Sequence, residues 1–115
     1  MKVTLLGTGT SNGVPVIGCT CEVCTSTDPL DKRLRTAAFV EEQGHHILID
    51  AGPDLRQQLL TNHITQVDAI LLTHEHKDHV GGLDDIRPIN FMMKPKAMEI
   101  YGLGRVLDVI KKDYD

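Results

Sequence analysis

The feature that most constrains this chain is six consecutive residues, His74-Glu75-His76-Lys77-Asp78-His79, set directly after the apolar run Ala69-Ile70-Leu71-Leu72-Thr73. A continuous apolar run of that length reads as a strand covered on both faces, as in sheets flanked by helices. If the chain stays extended through His76, then His74 and His76 project to the same side, because strand side chains alternate with period two. Two imidazoles on one side can hold one metal ion. Asp78 and His79 come after the chain has turned and can approach a second ion from another direction. Two divalent ions about 3.5–4 Å apart form a clamp for hydrolytic displacement. Gly81 and Gly82 suit such a place, since residues without Cβ let the backbone crowd close. The plainer reading is a surface loop solvated by its acidic residues. A cluster of imidazole and carboxylate ligands at a strand end favours metal.

The rest of the chain alternates strand-like and helix-like stretches, which points to a layered α/β architecture. Lys2 to Leu6 reads as a short buried strand, followed by the loop Gly7-Thr8-Gly9-Thr10-Ser11-Asn12-Gly13. Its glycines miss the dinucleotide fingerprint by one position, and no Gly-Lys-Ser/Thr follows. It reads as a simple turn or as a loop lending N–H groups to a phosphate. Residues 14 to 35 look irregular. Thr36 to Glu42 and His46 to Asp50 form a hairpin across Gln43-Gly44-His45. Pro53 is placed to open a helix, with Asp54 in its first turn and Leu55, Leu59 and Leu60 on one apolar face. Leu83 to Arg87 reads as a short helix disturbed by Pro88. Met98 to Tyr101 reads as a strand. Arg105 to Lys112, with Val106, Leu107 and Ile110 at helical spacing, reads as a helix.

Cys19, Cys21 and Cys24 are the only cysteines. Three thiols packed so closely make a poor disulfide framework. They can wrap one ion, although structural zinc is normally four-coordinate; reduced loop thiols or a redox thiol are the alternatives. No apolar run approaches the roughly 20 residues that span a bilayer, and the N-terminus reaches Gly7 too soon for a signal peptide. A cytoplasmic location is therefore expected. The net charge of −4 speaks against a nucleic-acid footprint carried by overall charge. Arg33 and Arg35 could meet an anionic substrate, but solvated arginines are the default. His45, His46 and His63 read as surface residues.

His74-x-His76-x-Asp78-His79 after a strand ending in Leu-Thr resembles the signature of the metallo-β-lactamase superfamily. Its surroundings resemble the PhnP-like phosphodiesterase branch. The supporting stretches are Gly7 to Pro15, the Cys-x-Cys-x-x-Cys of residues 19 to 24, and Leu48-Ile49-Asp50-Ala51-Gly52-Pro53-Asp54. The resemblance covers nearly the whole chain but only the front half of that family's domain. It implies that residues 1–115 are the N-terminal portion of a single domain. The fold expected is half of an αββα sandwich, a mixed sheet with flanking helices.

The activity it implies is metal-dependent hydrolysis of a small phosphodiester, such as a cyclic nucleotide or ribose cyclic phosphate. His74 and His76 would serve one ion, Asp78 and His79 a second. Zinc or manganese fits, because imidazole suits zinc and carboxylate admits the harder ion. Asp50 would support the metal loop, with helix capping as the alternative. The family's later ligands are a third His, a bridging Asp and a further His, and no histidine follows His79. Asp84, Asp85, Asp108, Asp113 and Asp115 fall in no motif of the family. The general acid would lie outside this chain. So would the His completing a structural zinc at Cys19, Cys21 and Cys24, unless His45, His46 or His63 replaces it. The competing expectation is a non-catalytic or truncated metal-binding half-domain that needs a second copy or its missing half. A tRNA-processing nuclease and a thioester or lactone hydrolase are the alternatives within the superfamily. A membrane partner is not expected, and nucleic acid is disfavoured.

Overall fold

Gln43 and Gly44 both hold left-handed backbone conformations, with φ of 50° and 80°, as a two-residue hairpin turn of the kind matched to strand twist requires. They join β2 (Ala37–Glu42) to β3 (His45–Ile49). β1 (Lys2–Gly7) pairs antiparallel with β2. After α1 (Leu55–Thr61), β4 (Ala69–Leu71) lies parallel to β3. α2 (Lys77–Val80), a 3-10 turn (Leu83–Ile86) and α3 (Arg87–Met92) follow; then β5 (Glu99–Tyr101) adds in parallel to β4, and α4 (Gly104–Asp113) comes last. The five strands lie side by side in chain order. The computed structural model describes residues 1–93 and 98–113, and no helix among them is long and apolar enough to cross a membrane.

The register decides where the core sits. Thr4, Phe39, Leu48, Ile70 and Ile100 are cross-strand partners in one row. Phe39, Leu48 and Ile70 in that row are buried, in one core with Leu55, Leu59, Val106 and Ile110 from α1 and α4. Each such side chain contributes about 1.5–3 kcal/mol by leaving water. The neighbouring rows project to the opposite face: Val3, Val40, Ile47 and Ala69 in one, Leu5, Ala38, Ile49, Leu71 and Tyr101 in the other. That face is also apolar, yet Val3 is 56% exposed, Leu5 68%, Leu71 41% and Tyr101 49%.

The layered α/β expectation therefore holds, with a mixed sheet and helices covering one face. The expectations of a buried β1 and of a β4 covered on both faces do not hold, because among the described residues nothing covers the second face. Pro53 does not open α1. The helix starts at Leu55 with Asp54 at its cap position, because the Asp54 carboxylate is taken by the Arg35 backbone N–H and guanidinium, each at 2.9 Å. Leu60 is exposed and Gln58 takes its place among the buried residues. Pro88 is the second residue of α3 rather than a break in a helix, since it sits in the first turn where no N–H is needed.

His46 is not a free surface residue. Its backbone N–H donates to Asp68 Oδ2 at 2.7 Å, and its Nδ1 lies 3.2 Å from the same oxygen. Desolvation pushes the Asp68 carboxyl up, but the His46 N–H, Gln66 and the His46 ring outweigh it and hold it below the usual 3.8. A depressed carboxyl stabilises the fold above its unfolded pKa and loses that contribution as pH falls through the folded one. Asp68→Asn is therefore expected to lower stability by about 1 kcal/mol at neutral pH and by less below pH 3.8. Urea melts at both pH values would check this; an equal loss at both would count against the linkage.

Candidate metal centre

Three segments build the site at the end of the sheet where β3 and β4 finish. Asp50 follows β3 with φ 66°, a left-handed conformation that aspartate tolerates better than most residues. Its N–H donates to Leu71 O at 2.9 Å, so the backbone pairing continues one step while the side chain turns inward, 2% exposed. The exit of β3 is then clasped by the helical turn beyond the histidines. Ala51 N–H donates to His79 O at 2.7 Å, and Gly82 N–H to Ala51 O at 2.8 Å. The approach is so close that a Cβ at Gly52 would overlap Asp78 O, and one at Gly82 would overlap Gly52 O.

The histidine loop converges. Ligand atoms of His74, His76 and Asp78 all lie within 4.8 Å of one another. The His74 and His76 rings meet edge-on with centroids 4.8 Å apart, and the His79 ring lies against His74 at 3.8 Å. His79 Nδ1 is 2.6 Å from Asp50 Oδ2, and its Nε2 is 3.0 Å from Asp78 Oδ2. A carboxylate can only accept, so His79 donates through Nδ1. Its Nε2 then faces a second carboxylate, an arrangement that needs a proton or a cation between the two atoms. The donor set of imidazole and carboxylate fits a divalent metal ion. The two pairs expected from the sequence thus lie in one cluster, with Asp78 beside His74 and His76 as well as beside His79.

Glu75 points elsewhere, 3.7 Å from Arg105 Nε on α4. Asp84 and Asp85 are exposed and stand outside the cluster. Arg33 donates to Thr8 Oγ1, and Arg35 is held by Asp54 and by Ser11 O. Both arginines therefore pin loops. Thr73, between β4 and His74, escaped the sequence reading. Its backbone N–H donates to Asp50 Oδ1 at 2.8 Å and its hydroxyl to Oδ2 at 2.7 Å.

The three cysteines also converge, with their sulfurs within 4.8 Å of one another. Cys24 N–H lies 3.4 Å from Cys21 Sγ, and Val16 N–H 3.4 Å from Cys24 Sγ. The Cys24 N–H, helped by the neighbouring thiols, brings the Cys21 thiol down to about 7. Cys24 is raised: the Val16 N–H pulls it down, but desolvation and the other two thiols prevail. Sulfurs already holding N–H donors fit a thiophilic ion. Among the described residues no histidine or carboxylate joins them, so His45, His46 and His63 do not complete the set.

A family model described as the beta-lactamase superfamily domain matches residues 45–115. Over 112 residues the chain is 51% identical to an octanoyltransferase of Porphyromonas gingivalis, covering 96% of this chain but 22% of that protein. A solved diphosphatase of the PhnP family superposes with a TM-score of 0.92 at 46% identity, over 97% of this chain and 45% of that one. Zn2+-bound PqqB from Methylobacterium extorquens superposes with a TM-score of 0.77 at 26% identity, over 97% and 40%. The chain spans less than half the length of each of these proteins.

Proposed function

This chain belongs to the beta-lactamase superfamily, in its PhnP-like branch, and from that premise we propose that it supplies the N-terminal half of a metal-dependent hydrolase acting on a small phosphodiester. One observation carries the reading: His74, His76 and Asp78 converge to within 4.8 Å while buried Asp50 holds His79 beside them. His74 and His76 would hold one ion, and Asp78 with His79 a second, zinc or manganese. A divalent ion there supplies Lewis acidity toward a phosphoryl oxygen and makes water acidic enough to ionise near neutral pH. The protein's own part is to fix the imidazoles before any ion arrives. The description of the 46%-identical neighbour as a diphosphatase supports phosphorus chemistry. The octanoyltransferase similarity supports no acyl transfer here, since the match is 22% of that protein.

The remaining ligands and the general acid come, in this reading, from a segment that covers the apolar face of the sheet: the other half of such a domain or a second copy of this chain. Cys19, Cys21 and Cys24 would hold a separate structural zinc that orders the long loop. The bare face also favours a second reading, a half-domain without catalysis of its own.

Metal analysis and turnover of bis-p-nitrophenyl phosphate distinguish the two. Two tightly bound ions at the histidine loop with turnover support the enzyme; one weak ion without turnover supports the half-domain. His76→Ala is expected to remove metal from the histidine loop and leave the cysteine-bound zinc. Cys21→Ser is expected to do the reverse and lower the melting temperature. An unchanged metal total in His76→Ala would refute the histidine site.

A further inference from the structure

The Thr73 hydroxyl stands between two groups already described. It lies 2.7 Å from Asp50 Oδ2 and 3.0 Å from His74 Nδ1. A hydroxyl has one proton to give. A carboxylate has none, so the proton on the shorter contact must come from Thr73. Having spent it, Thr73 Oγ1 can meet His74 Nδ1 only as an acceptor, which requires the hydrogen of a neutral His74 to sit on Nδ1. Its Nε2 is then left with a free lone pair. His79 likewise donates from Nδ1 to the same Asp50 oxygen at 2.6 Å, while its Nε2 faces Asp78. One buried carboxylate therefore sets two imidazoles, one directly and one through a threonine.

We propose that Thr73 is a positioning residue that relays the Asp50 carboxylate to His74 and fixes its ring with Nε2 as the metal-binding nitrogen. The inference rests on the metal-site reading above for its use, but not for its first test, which needs no metal. His76 shows no such partner to its ring nitrogens among the described contacts, so the relay singles out His74. Groups that orient ligating imidazoles are worth about 10–100-fold in metal affinity, and that is the effect expected here.

The test uses the 115-residue chain without metal, at a pH above the histidine titration range. Nitrogen-15 correlation spectra of the imidazoles should show His74 as the Nδ1–H tautomer. An Nε2–H His74 in the wild-type chain would overturn the relay whatever any variant does. Thr73→Val keeps the shape and removes the hydroxyl. It should give His74 mixed tautomers, leave His79 unchanged, and weaken Co2+ binding by about 10–100-fold. Thr73→Ser should restore both readouts. An unaltered His74 tautomer and Co2+ affinity in Thr73→Val would overturn the proposal, as would a Thr73→Ser that folds but restores neither. If the chain binds no Co2+ at all, the metal-site reading fails, while the tautomer spectra still decide the relay.

Discussion

Asp50→Ala is expected to abolish measurable metal binding at the histidine loop and to destabilise the chain by about 3–5 kcal/mol, the range for breaking a buried charged network. Three donors converge on this carboxylate: Thr73 N–H, the Thr73 hydroxyl and His79 Nδ1. Truncation leaves all three without an acceptor in a place where little water reaches. Asp50→Asn separates shape from charge. Asparagine also tolerates the 66° φ of this residue, so the backbone turn survives. Its amide offers one acceptor oxygen where the carboxylate offers two, and its NH2 must face at least one donor. The cost should fall to about 1–3 kcal/mol, while metal affinity still drops by about 10–100-fold. Urea melts and Co2+ titrations read the two quantities independently. An Asn variant with wild-type affinity would show that the carboxylate does not organise the site.

Gly82→Ala is expected to cost on the order of 3 kcal/mol or more, enough to unfold a marginal chain. Its Cβ would land on Gly52 O and lie 3.1 Å from Leu55 Cβ. Neither neighbour can retreat: Gly52 O accepts from Leu55 N at the start of α1, and Leu55 is fully buried. The clasp between the β3 exit and the histidine loop would open, and the ligands would move with it. Gly104→Ala is the matched control. A Cβ there meets nothing within 4 Å, and alanine at the start of a helix leaves stability unchanged or raises it by about 0.4–1 kcal/mol. Equal urea midpoints for the two variants would refute the close-approach argument.

The histidine cluster was legible because its ligands are contiguous and follow an apolar strand, so local geometry nearly suffices to bring them together. Asp50 was legible only through resemblance. It lies 23 residues from Thr73 and faces inward through a left-handed turn that no pattern of hydrophobicity encodes. Thr73 escaped notice because a threonine closing a strand is ordinary; its role depends on what lies across the β3–β4 pairing. Burial of β1 and β4 was misjudged for a related reason. Residues apolar on both faces imply two covering layers, and the described residues supply one. Arg35 misled in the opposite direction, since a charged side chain in an irregular stretch looks solvated until its partner Asp54 is placed.

The parallel register of β3 and β4 also bears on how the cradle comes into being. The β2–β3 hairpin needs only neighbouring residues and can close in about 1–10 μs. Pairing β3 with β4 must wait until the intervening chain has looped over the sheet, a slower search because its contacts are distant along the sequence. Asp50 gains Thr73 and His79 only when that search succeeds. Capture of a cation would therefore report completed tertiary assembly, and a collapsed but unpaired chain would let the ion pass.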